Sequence, residues 1–247
     1  MSDHLPGRPI WLELYTADTD AARAFYGGLF GWTVEDSGPE LGNYALFLRD
    51  GAPVAGLMQS SGETPDAWSV YLESDNAEDT VAMAVANGGQ VIVEAMQVGD
   101  LGHMAMVADP GGAAVGIWQP GAHPGFAALG EEHAPGWFEV LSNDYDATVS
   151  FYRNAFGWDT HTMSDTPEFR YTTLGEYDHS LAGIMAADGP SHWSAYLMVG
   201  DADDAVARAV GLGGSEVDAP ADTPYGRLAT IADPSGVPLK LMGPNRG

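Results

Sequence analysis

At 247 residues, 45% apolar and 18% charged, the chain can bury a core and is too apolar to be disordered. Its 35 acidic against 9 basic residues give a formal charge of −26, which repels phosphate backbones and excludes nucleic acid as an expected partner. Cysteine is absent, which excludes disulfides, thiolate metal sites and cysteine nucleophiles; with no long apolar run and no basic-then-apolar start, the expectation is a cytoplasmic protein without membrane contact.

The elements follow in order. "IWLELYT" (10–16) alternates as a strand. "DTDAARAFYGGLFGW" opens with Asp18 and Thr19, which can cap a helix, and is expected to break at Gly27–Gly28. "NYALFLRD" and "PVAGLMQ" read as two strands around a turn at Asp50–Gly51. The order then restarts: "WSVYLES" as a strand, "DNAEDTVAMAVANGG" as a helix with an Asp/Asn start and a Gly-Gly stop, and "GQVIVEAM", "GHMAMVAD" and "AAVGIWQ" as strands. A Pro- and Gly-rich stretch follows, and then the pattern repeats, with "GDADDAVARAVGLGG" as its later helix.

The repeat is literal. "WLELYTADTDAARAFYGGLFGW" (11–32) returns as "WFEVLSNDYDATVSFYRNAFGW" (137–158), with 10 of 22 positions identical. "VAGLM", "WSVYL" and "ADPGG" return as "LAGIM", "WSAYL" and "ADPSG", at offsets of 127, 125 and 124 residues. Such drift means one duplicated unit with single-residue loop changes. The expected organisation is a domain at 1–120, a linker at 121–134 and a second domain at 135–247.

A strand–helix–three-strand module, a Phe-Tyr late in its first helix, a Gly-Trp after it and a late "DPxG" together resemble the vicinal-oxygen-chelate superfamily. This is the glyoxalase, bleomycin-resistance and dioxygenase group. "FYGGLFGW", "FYRNAFGW", "DPGG" and "DPSG" carry the match, and "GAAVGIWQ" is similar to the two-domain glyoxalase-like proteins of actinobacteria. The resemblance implies an α+β fold of two tandem domains. Each would have two βαβββ modules forming a cupped eight-stranded mixed sheet, with helices outside and a ligand cavity within. In metal-using members, four His, Gln or Glu side chains from the first and last module strands bind one divalent ion. Here those positions fall on Trp11, Ser69, Gly116 and Gly56 in the first domain, and on Trp137, Ser194, Lys240 and Gly183 in the second. None is a ligand of that kind, so no metal and no other cofactor is expected, with a divalent metal as the alternative.

The residues themselves suggest binding. Strand alternation places Trp11, Glu13 and Tyr15 on one face, and Trp137, Glu139 and Leu141 on another. An indole beside a carboxylate suits a planar or cationic small molecule, although both pairs also fit a packing role. Ser69 and Ser194 join the expected lining. His103 and Arg227 both sit six residues before the Asp of the DP turn, which suggests diverged sites with an acid–base group in one and an anion clamp in the other. Lys240 stands where the first copy has Gly116. Trp68, Trp193, Phe25–Tyr26 and Phe151–Tyr152 read as packing residues.

Three functions remain open. The first is a metal-independent small-molecule binding protein, monomeric or homodimeric. The second is an enzyme of the family (a lyase, isomerase or dioxygenase type), metal-free or with a relocated metal, using Glu13, Glu139 or His103 as a base. The third is an interaction protein whose cups are filled by bulky side chains.

Overall fold

Four short polar side chains start the four helices. Asp18, Asn76, Asp144 and Asp201 each accept a hydrogen bond from a backbone N–H of the first turn. In the computed structural model, which describes residues 6–38, 42–62, 64–176 and 180–247, these helices separate sixteen strands. The first half runs β1 (Pro9–Thr16), α1 (Thr19–Phe30), β2 (Thr33–Asp36), β3 (Ala45–Arg49), β4 (Ala52–Gln59), β5 (Ala67–Glu73), α2 (Ala77–Ala86), β6 (Gln90–Val98), β7 (Gly102–Ala108) and β8 (Ala114–Pro120). The second half repeats it as β9 (Pro135–Ser142), α3 (Tyr145–Ala155), β10 (Thr160–Thr166), β11 (Phe169–Leu174), β12 (Ala182–Ala186), β13 (His192–Met198), α4 (Ala202–Gly211), β14 (Ser215–Thr223), β15 (Gly226–Ala232) and β16 (Pro238–Gly243).

Each half forms one eight-stranded sheet, ordered β2-β3-β4-β1-β5-β8-β7-β6 and β10-β11-β12-β9-β13-β16-β15-β14. The sheets are mixed, because the first and last strands of each module pair in parallel while the hairpin neighbours within each module pair antiparallel. The Asp50–Gly51 turn closes β3 onto β4 with φ of 50° and 82°, as a mirror-image hairpin turn requires. No helix among the described residues is long and apolar enough to cross a membrane.

One sequence expectation is corrected. Helix α1 does not break at Gly27–Gly28 but continues to Phe30, and ends at Gly31, whose φ of 72° is left-handed. Gly28 is there for room, since a Cβ on it would meet the Leu212 side chain at 2.8 Å.

The chain packs as two compact units that cut across the sequence halves. One comprises Met1–Trp11, Ser69–Gly125 and Phe138–Ser194, and the other Leu12–Trp68, Phe126–Trp137 and Ala195–Gly247. The stretch expected as a linker is divided between them at Gly125. In the first unit α2 packs on α3, and in the second α1 packs on α4.

The repeated motifs explain this exchange. In the first unit Tyr152 of α3 donates to Asp109 Oδ2 of the DP turn at 3.3 Å and accepts from Trp193 Nε1 at 2.8 Å. In the second, Tyr26 of α1 donates to Asp233 Oδ2 at 3.0 Å and accepts from Trp68 Nε1 at 3.1 Å. The neighbouring phenylalanines lock the same joints. A Cβ on Gly89 would meet the Phe151 ring, and one on Gly214 would meet the Phe25 ring, each at 2.8 Å. Each Phe-Tyr of one half thus fits the Gly-Gly stop and DP turn of the other half.

Burial raises both DP aspartates above the usual carboxylate range and pushes both tyrosines well up. Backbone N–H groups within the turns, from Ala113 to Asp109 and from Ser235 and Val237 to Asp233, oppose that shift. Full burial of Leu12, Leu14, Phe47, Leu72, Ile117, Phe138 and Leu241 on the helix side stabilises each sheet by about 1.5–3 kcal/mol per side chain.

Candidate functional site

Alternation leaves each sheet one face free of helices, and the side chains there form registered rows. In the second unit, β1 turns Glu13 and Tyr15 to this open face, level with Gly56 and Met58 of β4. The row through Glu13 continues over Leu46 to Glu35. The Ser61 backbone and the Ser60 hydroxyl hold the half-buried Tyr15 phenol below its ordinary value.

In the first unit, Ser69, Tyr71 and Glu73 share the open face of β5. Tyr71 is level with Gly116 and Met106, and Glu73 with Trp118 and Met104. A Cβ on Gly116 would collide with the Tyr71 ring, which lies over it. Trp11, only 3% exposed, meets His123 edge to face at 4.4 Å. Trp118 meets the same imidazole at 5.6 Å and donates its indole N–H to the His123 carbonyl at 3.0 Å. His123 Nε2 is buried with no hydrogen-bond partner, and desolvation lowers its pKa. His123, in the expected linker, therefore covers this end of the face, which the sequence reading does not anticipate.

The other sheet repeats the plan. Glu139, 5% exposed, is level with Gly183 and Thr173, and Leu141 with Met185 and Tyr171. The Tyr171 ring leans over Gly183 as Tyr71 does over Gly116. Trp137 lies on the same face of β9 as Glu139 by alternation, and Ser194 on the same face of β13 as Tyr196. In the second unit Tyr196 is level with Lys240, and Met198 with Met242. Lys240 Nζ donates to Tyr196 Oη at 3.1 Å and sits 5.0 Å from its ring centre.

Two expected lining residues lie elsewhere. His103 is level with Gln119 and Gln97, so it shares the helix-side face with Ala105 and Val107 while Met104 and Met106 take the open one. Arg227 is held by Asp203, in the first turn of α4, at 2.6 Å and by Asp222 at 2.9 Å. These ion pairs, not an anion in the cup, account for its guanidinium. Trp68 and Trp193, read as packing residues, prove to be donors to the buried tyrosines.

The feature that sequence reasoning overlooks is methionine. Seven of the ten methionines, Met58, Met96, Met104, Met106, Met185, Met198 and Met242, stand on open faces. The available signal was the two-residue spacing in "HMAM", a strand period on one face. A separate cleft of about 300 Å³ lies at the end of α1, lined by Phe30, Arg49, Asp50, Glu132, His133 and Arg208. Its arginines are engaged, Arg49 by Glu131 at 2.7 Å and Arg208 by the Gly28 carbonyl at 2.8 Å.

Residues 8–117 and 134–241 match the model of the Glyoxalase/Bleomycin resistance protein/Dioxygenase superfamily. The chain belongs to this superfamily. CFP32 of Mycobacterium tuberculosis is 33% identical over 98% of this chain and 97% of its own length. The anthracycline biosynthesis protein DnrV of Streptomyces peucetius is 34% identical over 98% of this chain and 95% of its own. Among solved structures, the Mn(II)-bound glyoxalase from Novosphingobium aromaticivorans aligns with a TM-score of 0.68 at 18% identity, covering 97% of this chain and 82% of that one. A catechol 2,3-dioxygenase aligns at 0.66 and 14%, covering 98% and 89%. At these identities the likeness is one of fold.

The superfamily's metal can be tested against the residues present. Gly116 and Gly183 offer no donor and lie beneath tyrosine rings, Lys240 presents an amine rather than a carboxylate, and the indoles of Trp11 and Trp137 are no ligands. Among the described residues no group of three or more His, Asp or Glu is placed to hold an ion. The donor set does not fit a divalent metal at the superfamily's positions.

Proposed function

We propose that this superfamily member binds small, planar organic molecules on the open faces of its sheets, without the divalent metal used by its metal-dependent relatives. The methionine and aromatic lining carries the reading. Tyr15, Met58, Met104 and Met106 on the first sheet, and Met185, Met198 and Met242 on the second, supply polarizable surface beside the buried rings of Tyr71, Trp118 and Tyr196. Thioethers adapt their shape to varied ligands, and rings stack on planar ones. Similarity to proteins named for anthracycline biosynthesis agrees with an aromatic ligand.

Native mass spectrometry of protein purified without added metal or chelator tests this. The expected result is a metal-free mass with an organic adduct, or a metal-free mass that gains one upon adding a planar aromatic. Trp137→Ala should weaken that binding by about tenfold, as loss of one buried aromatic contact does. One divalent ion per chain would sink the reading.

A second reading, a metal-free enzyme, is favoured by Glu139. It is a buried carboxylate on an open face, placed as a general base would be. Turnover abolished by Glu139→Gln with ligand binding intact would establish it.

A further inference from the structure

The cleft of about 300 Å³ at the end of α1 lies wholly within the second unit. Its wall carries both signs of charge. Arg208 gives one N–H to the neutral Gly28 carbonyl at 2.8 Å, and Asp50 stands exposed on the β3–β4 turn. Among the described residues neither enters an ion pair, with the other or elsewhere. Arg49 uses one nitrogen on Glu131 and keeps further N–H donors.

The duplication supplies a control. In each unit an indole donates to the carbonyl of an equivalent residue, Trp32 to His133 at 2.8 Å and Trp158 to Gly7 at 2.7 Å. Both residues are left-handed, with φ of 62° and 85°. Glycine adopts that conformation freely, whereas histidine is strained in it. A Cβ on Gly7 would run into the Phe156 carbonyl. The first unit therefore has no room for a side chain where the second sets an imidazole 5.9 Å from the Phe30 ring. Likewise the seventh residue of α2 is Met83 and that of α4 is Arg208. The scaffold repeats without the arginine and without the strained histidine, so packing accounts for neither, and strain of this kind gathers at ligand clamps.

We propose that this cleft binds a free α-amino acid with an apolar side chain. Arg208, with the donors that Arg49 keeps, takes the carboxylate. Asp50 takes the ammonium. The His133 ring, backed by Phe30, meets the side chain. A ligand of one sign fits less well. Asp50 and Glu132 oppose a plain anion, as does the partial negative charge at the C-terminal end of α1, and the two arginines oppose a plain cation. The site is independent of the open faces and of what they bind.

Titration calorimetry of the whole chain tests this with L-phenylalanine, 2-phenylethylamine and 3-phenylpropanoate, which differ only in the charges they carry. At about 0.15 M salt the long-range field of the chain is screened beyond about 8 Å, so local charges decide. Wild type should bind phenylalanine about fivefold more tightly than either analogue, as exposed ion pairs allow. Arg208→Met, which installs the first unit's residue, should bring phenylalanine down to the level of 2-phenylethylamine and leave that amine within about twofold. Asp50→Asn, which suits the left-handed turn, should bring it down to the level of 3-phenylpropanoate. Both positions are exposed, so the fold should survive both changes. Failure to bind phenylalanine, equal binding of either analogue by wild type, or a preference that survives either substitution overturns the proposal.

Discussion

His123 shows how one side chain ties acidity to structure. Its ring lies between two indoles, and its Nε2 is buried without a partner. Protonation would place a charge on a ring whose Nε2 is buried without a hydrogen-bond partner. Desolvation lowers the folded pKa below the unfolded value, so the unfolded chain takes up the proton first. The associated stability is present above the unfolded value near 6.5 and is lost as pH falls through it toward the folded value. Thermal stability should therefore fall as pH goes from 7 to 5, with a slope of at most about 1.4 kcal/mol per pH unit from this group. His123→Phe should flatten that part of the profile, as tryptophan emission can follow. A profile unchanged by the substitution would refute the role. At this scale the sequence was least informative. Trp11, Glu13 and Tyr15 are legible as one face because strands alternate. His103 and Arg227 mislead, since their place before the DP turn gives no strand parity. The covering of Trp11 by His123 joins residues more than a hundred positions apart, and no local pattern encodes it.

Helices and strands were far more legible, because caps and alternation are local. Glycines are the exception, for they serve two uses that look alike in sequence. Gly31 supplies a left-handed φ, while Gly28, Gly89 and Gly214 supply clearance for side chains of the other half. The Gly27–Gly28 pair reads as a stop only because Leu212, whose side chain takes up the space, is invisible from the sequence around it. The distinction predicts opposite signs. Gly89→Ala would place a Cβ 2.8 Å from the Phe151 ring and 2.9 Å from the Ala108 carbonyl, so it should destabilise by about 1–3 kcal/mol. Gly211, at the end of α4, has open space around it, and Gly211→Ala should be neutral or stabilise by up to about 1 kcal/mol. Urea unfolding of the two variants decides the matter, and a destabilised Gly211→Ala with an unaffected Gly89→Ala would contradict the clearance argument.

For the whole molecule, the duplication was plain in the sequence and its packing was not. Sheets follow the halves, but the joints made by Tyr26, Tyr152 and the two DP turns exchange partners between them. Residues 1–120 alone would leave Tyr26 and Phe25 without Asp233 and Gly214, exposing a buried aromatic surface. That segment should not be a stable monomer. Co-expression with residues 121–247 should restore a one-to-one complex with native circular dichroism, detectable by size exclusion. A monomeric, cooperatively folded 1–120 would show that the joints are dispensable.

Reciprocity of this kind has an evolutionary consequence. Neither copy can alter its tyrosine or its turn without harming its sibling, so the joints resist drift in both. The open faces carry no such mutual obligation. A substitution such as glycine to lysine in one copy leaves the other copy's partner untouched, and the paralogous halves are free to acquire separate tastes while remaining bound to a shared scaffold.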